Sequence, residues 1–353
     1  MSAEDRVAEL ALSVTPANAE ARRAAALLQD EMTKPRGSLG RLEELSIQLA
    51  GIAGHCPPRV PAQPALVVAA GDHGAVLEGV TPWPPEVTAT MVRLFCSGRA
   101  SANALARVVG ARVTVLDVGV AADLQPHPRL RSAKVRRGTG DLASSPAMSR
   151  AEAARALLAG AGLAQELATA GADLLIAGDM GIGNTTPAAC LIAAFTGRAA
   201  EDVTGRGTGI DDDMWRTKVK VVERALALQA PDPRDPWSAL SPVGGLEHAA
   251  LAGLMLGGAA ARVPLVLDGV TTNAAALVAH AIAPDVLDFL IAGHVSVEPG
   301  ARVALADLGL EPLLDLGMRL GEGTGGLLAV PIVRAAAATL SGIATFHEAG
   351  IQA

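Results

Sequence analysis

The sequence predicts an α/β protein: an open parallel sheet flanked by helices, with a small helical domain built from both chain ends. Three observations point there. Five short apolar runs, Ala65–Ala70, Arg112–Val118, Leu174–Ala177, Val263–Leu267 and Phe289–Ala292, each meet a glycine within two residues of their carboxyl end. Alanine-rich stretches of helical length separate them, the mark of repeated strand–helix units. Outside this region both ends of the chain carry helical periodicity instead.

In chain order, residues 3–54 read as helices interrupted at KPRGSLG (Lys34–Gly40), and LEELSIQLAGIAG then places apolar residues at helical spacing. A proline-rich linker, His55–Pro64, leads into the first strand. Parallel strands gather their carboxyl ends on one edge, where open α/β sheets bind ligands. Asp72, His73, Asp179, Asp268 and His294 are therefore expected around one crevice. After residue 320 a glycine-rich turn, GEGTGG, precedes a final helix that is expected to return to the amino-terminal helices. The resulting division is 1–60 for helices of the small domain, 61–320 for the α/β domain and 321–353 for the segment completing the small domain.

Composition narrows the function. Half of the 353 residues are hydrophobic, yet aromatics are 2% and tyrosine is absent, so the core must be Ala, Val, Leu and Ile in close-approaching helices. A formal net charge of −7 argues against a nucleic-acid surface, and no aromatic platform is available for stacking bases. The one basic cluster, Arg129–Arg137, reads as a solvated loop. Cys56, Cys96 and Cys190 lie far apart without CxxC spacing, which suits a reducing cytoplasm with neither disulfide nor zinc site. The first residues lack a signal peptide's basic and apolar regions. Ala249–Ala261, about 13 residues long, falls short of a bilayer span and reads as a buried helix, so no membrane partner is expected.

Several loops carry chemistry. In GDMGIGNTTPAA, Gly181 and Gly183 let backbone N–H groups turn inward, and a helix starting near Thr185 would direct its positive end at an anion. That suits one phosphate held with Asn184, Thr185 and Thr186, although a tight structural turn explains the same glycines. Neither a Walker loop nor GxGxxG is present. GRGTGIDDD, with Arg206 and Gly207, is a second candidate phosphate or ribose loop, or merely a capped surface helix, with Lys218 two turns farther on. After GDHG, the proline-rich turn around Trp83 forms a rigid wall for a flat ring or simply closes a loop; His73 reads as a satisfied buried histidine, with no ligand set to complete a metal site. Asp268, Thr271, Thr272, Asn273, His294, Ser296 and Glu298 make a polar rim on the same edge. Glu322, between glycines, has room to approach a substrate or to lie exposed.

Seven motifs in this order, KPRGSLGRLEELSIQLAGI, AGDHGAVLEGVTPWPPEVTATM, GDMGIGNTTPAA, GRGTGIDDD, LVLDGVTTNAAALVA, AGHVSVEPG and LGEGTGG, resemble the nicotinate-nucleotide–dimethylbenzimidazole phosphoribosyltransferases of cobalamin lower-ligand assembly, from about Lys34 to Phe346. The resemblance implies a Rossmann-like sheet, a homodimer, no cofactor, and transfer of phosphoribose from nicotinate mononucleotide to 5,6-dimethylbenzimidazole. It implies Glu322 as catalytic base and Asp179 as a second catalytic carboxylate, either sharing the proton transfer or acting electrostatically. Phosphate, ribose and nicotinate would be held by Met180, Gly181, Gly183, Asn184, Thr185, Gly207, Lys218, Asp268 and Ser296, and the base by Thr81, Trp83 and Thr90. Many members have Glu at the position of Asp179 and Gln at that of Thr90, which leaves the acceptor open among benzimidazoles, phenols and adenine. Competing readings are a non-catalytic paralogue that binds the mononucleotide or a benzimidazole, and a nicotinamide-dependent oxidoreductase, which the missing GxGxxG disfavours.

Overall fold

A computed structural model describes residues 1–352. Six parallel strands, β1 (Pro64–Gly71), β2 (Arg112–Gly119), β3 (Leu130–Ser132), β4 (Leu174–Met180), β5 (Leu265–Leu267) and β6 (Leu290–Ala292), form one sheet in the order β3-β2-β1-β4-β5-β6. From β1 the chain winds outward through β2 and β3, and from β4 outward through β5 and β6. The order therefore reverses between β1 and β4, and a crevice opens beyond their carboxyl ends.

All eight residues of β1 are buried. Ala65, Val67 and Ala69 face a layer that includes the helices Arg150–Thr169 and Leu246–Ala260, while Leu66, Val68 and Ala70 face the helices Glu86–Ser97, Ser101–Val109 and Thr324–Gly342. Both faces are covered, so the strands read as unbroken apolar runs rather than alternating ones. Five strands lie where the apolar runs predict them. The sixth corrects the reading of Arg129–Arg137 as wholly loop: Leu130–Ser132 pairs with β2 at the sheet edge. The basic side chains around it are engaged, Arg131 with Glu166, Lys134 with Asp117 at 3.2 Å and Arg137 with Asp123 at 2.6 Å.

Small residues bring the two helices on the first face together. A methyl group at Gly253 would lie 1.8 Å from the Leu157 carbonyl oxygen, and one at Gly160 would lie 1.8 Å from that of Ala250. Gly253→Ala is therefore expected to force the helices apart and lower stability by about 1–3 kcal/mol. A urea midpoint equal to that of the unchanged protein would show that the contact has slack.

The chain ends meet. Phe346 donates its N–H to the Glu31 carbonyl at 2.8 Å and Thr33 donates to that of Ala344 at 3.0 Å. Gln29, buried in the helix Ala19–Glu31, donates to Ser46 and Thr339 at 2.9 and 3.0 Å. The first helix, Ala3–Ser13, goes elsewhere: Val7 and Leu10 enter the large core on the Arg150–Thr169 side. The helix Thr324–Gly342 is long and apolar enough to cross a bilayer by length and composition. Here Leu327, Val330, Val333 and Ala337 are core residues packed on the sheet.

Candidate active site

The loop leaving β4 wraps the end of the crevice. A methyl group at Gly181 would lie 2.3 Å from the Gly71 carbonyl oxygen, and Gly183 has φ +87°, so both positions require glycine. Ile182 donates its N–H to Thr88 Oγ1 at 3.1 Å, and the helix Thr185–Thr196 then begins with its first amides at the loop. Lys218, buried in the helix Asp212–Gln229, reaches this point: Nζ donates to Thr185 Oγ1 at 2.7 Å and to the Gly205 carbonyl at 3.2 Å. Burial brings its ammonium down to about 8, with Glu298 opposing. Gly207 is clamped at both polar groups, its N–H donating to Glu298 Oε1 and its carbonyl accepting from Arg319 Nη1, each at 2.8 Å. With Ser296 and Thr81 these groups line a polar chamber.

Glu322 sits at the opposite wall on a backbone that side chains seldom adopt. Gly321, Glu322 and Gly323 have φ of +83°, +65° and +84°, and for Glu322 this conformation costs on the order of 1–2 kcal/mol. Asp268 braces the turn. Its buried carboxylate accepts the N–H groups of Gly323, Gly325 and Gly326 at 3.0, 2.7 and 3.1 Å. His294 Nε2 lies 3.3 Å from the same carboxylate. Gly178 has no side chain to collide with the turn, since a methyl there would come within 2.7 Å of the Glu322 carbonyl.

Two carboxyls with altered acidity result. Burial raises the Asp179 carboxyl to about 7, Asp268 and Glu247 add repulsion, and the Asn184 amide, donating at 2.7 Å, opposes the rise. Glu322 is also raised by burial, opposed by the Ala102 N–H that it accepts at 3.2 Å and reinforced by Asp268. Raised carboxyls are stronger bases than exposed ones, the property that proton abstraction near neutral pH requires.

A second, apolar chamber adjoins the first, walled by Trp83, Val87, Met91, Met180, Met318 and Leu320, with Glu322 and Ser101 as polar groups. Asp179, Gly181, Asn184 and Gly207 line both chambers. Of the residues expected to bind the base, Trp83 lines the apolar chamber and Thr81 the polar one. Thr90 is exposed and lines neither chamber, donating to the Glu86 carbonyl at 3.2 Å and accepting from Arg93 at 3.1 Å. Val87 and Met91, one turn apart, form that wall instead. Asp268 lines neither chamber; it holds the turn that carries Glu322.

Arg319, Ser101, Glu247 and His248 were not singled out from sequence. For the last two a signal exists, an adjacent ionisable pair within the apolar run LEHAALAGLML. Among the described residues no group of three or more His, Cys, Asp or Glu side chains is placed to hold a metal ion.

An anion cradle joined to a slot for a flat ring, with two basic carboxyls near the junction, suits the transfer of a phosphorylated sugar between rings: the class is phosphoribosyltransferase. A family model described as phosphoribosyltransferase matches residues 14–351. Nicotinate-nucleotide–dimethylbenzimidazole phosphoribosyltransferase of Salinispora tropica is 54% identical, covering 96% of this chain and 97% of its own length, and that of Roseiflexus sp. (strain RS-1) is 51% identical, covering 98% of each. The crystal structure of CobT from Thermus thermophilus superposes with a TM-score of 0.91 at 50% identity, covering 94% of this chain and 99% of that one. The chain belongs to the nicotinate-nucleotide–dimethylbenzimidazole phosphoribosyltransferase family.

Proposed function

We propose that Glu322 is the catalytic base in the reaction this chain performs, the transfer of phosphoribose from nicotinate mononucleotide to 5,6-dimethylbenzimidazole to give α-ribazole 5′-phosphate and nicotinate. The observation that carries the assignment is a buried, raised carboxyl on a strained left-handed turn, facing the apolar chamber. The leaving ring is already a pyridinium, so the C1′–N bond breaks with its electron pair returning to that nitrogen and no acid is required. One benzimidazole nitrogen forms the new bond to C1′, and the proton on its other nitrogen passes to Glu322. Attack on the face opposite the leaving ring inverts β to α. Asp179, on the wall common to both chambers, stabilises positive charge developing at the sugar. Lys218, Thr185 and the amides of Gly181 and Gly183 hold the 5′-phosphate.

The purified protein is expected to release nicotinate from the mononucleotide only when a benzimidazole is present. Release that is indifferent to the acceptor, or absent with every benzimidazole, purine and phenol offered, would sink the assignment. Free Cys56, Cys96 and Cys190 suit a reducing cytoplasm, and we assign a homodimer from the family resemblance, to be checked by light scattering.

A further inference from the structure

Beneath the phosphate loop lies a cluster that the transfer chemistry does not use. His73 follows β1, and Glu247 and His248 stand in the first turn of the helix Leu246–Ala260. Glu247 is wholly buried, with Oε1 2.9 Å from His73 Nε2 and 2.8 Å from His248 Nδ1. An unpaired carboxylate at that depth is strongly disfavoured, so the cluster is stable only with a proton on an imidazole. For His73 burial works against that proton, but Glu247, then Asp72 and Asp179, outweigh it and raise the imidazole above its usual value. Glu247 is pulled far below the carboxylate range by the two histidines despite its burial.

The surrounding backbone is cut back to admit this imidazole. A methyl group at Gly181 would lie 3.0 Å from His73 Nε2, and one at Gly245 would lie 2.6 Å from its Cε1. His73 is thus the floor on which the Gly181–Gly183 loop rests.

We propose that His73, held by Glu247, is a positioning residue that places a buried positive charge under the Gly181–Gly183 loop and thereby strengthens the loop's hold on the donor's 5′-phosphate. The charged and titratable groups facing His73 are Glu247 and His248 from the helix below, Asp72 beside it, and Asp179 from the end of β4. An imidazolium there cancels the charge of Glu247, which would otherwise add to that of Asp72 behind an anion site. The proposal rests on the loop being the phosphate cradle.

The test is His73→Gln, which retains a hydrogen-bond donor for Glu247 but no charge. The KM for nicotinate mononucleotide and the Kd for inorganic phosphate are each expected to rise about tenfold, while kcat and the Kd for dimethylbenzimidazole stay within about twofold. Phosphate affinity that is unchanged, or a uniform loss for phosphate and base together, overturns the role. Should this variant not fold, the imidazole nitrogen resonances of His73 in the unaltered protein decide: imidazolium at about pH 7.5 supports the proposal, and a neutral ring overturns it. Lys218→Met separates the two levels. Phosphate binding untouched in that variant defeats the cradle itself, whereas binding lost there and retained in His73→Gln defeats only the role of His73.

Discussion

Glu322→Gln is expected to lower kcat by about 10²–10⁴-fold while the KM for nicotinate mononucleotide stays within about twofold. The amide keeps the volume of the side chain and can still accept the Ala102 N–H, so the turn and both chambers should survive. What disappears is the acceptor for the benzimidazole proton. A general base acts in the transition state, so its loss appears in turnover rather than in donor binding. Steady-state assays of nicotinate release, with donor and acceptor varied separately, read the two parameters. A variant that turns over normally would remove Glu322 from the chemistry, and one that loses donor affinity would make it a structural element of the polar chamber.

Asp179→Asn should change stability and activity in opposite directions. Folded, the carboxyl is raised to about 7 from an ordinary 3.8. The native state therefore holds this proton more tightly than the unfolded chain. The resulting contribution to stability is complete below about pH 4 and is lost as pH rises through about 7, a span worth on the order of 4 kcal/mol. Asparagine does not titrate and can still accept from Asn184, so the variant should unfold at higher temperature than the unaltered protein above pH 7, with the gap narrowing toward pH 4. Its turnover should fall by at least about tenfold, and the rise of kcat/KM through roughly pH 7 expected of an ionising Asp179 should vanish. Melting curves that superpose at all pH values would show that the carboxyl is not held in its acid form.

The legibility of the sequence followed burial. Each of the five strands recognised as apolar runs is covered on both faces or ends in a glycine that the crevice requires, and both features leave a direct mark on composition. The edge strand Leu130–Ser132 has three residues, two of them exposed, and so carries no such mark. Gly181 and Gly183 announced a cradle because only glycine satisfies their space and φ. The wall of the apolar chamber was harder to read: Thr90 and Met91 are neighbours in the chain, and the rotation of one helix decides which of them meets a ligand. Asp268 was expected on the rim and is instead the brace of the Glu322 turn, a role that exists only through three backbone amides 55 to 58 residues away.

By itself the sequence determined the parallel α/β plan, the glycine loops at the strand ends and the family, because local periodicity, turn chemistry and motif order are properties of contiguous residues. Only the tertiary structure decided that Asp179 and Glu322 flank a shared crevice with raised pKa values, that the Glu247 carboxylate stands 2.9 and 2.8 Å from two imidazole nitrogens, and that Gly207 is clamped from both sides. Acidity, charge compensation and cavity shape depend on burial and on distances between groups remote in the chain, and those come into being when the strands align and the helices close over them.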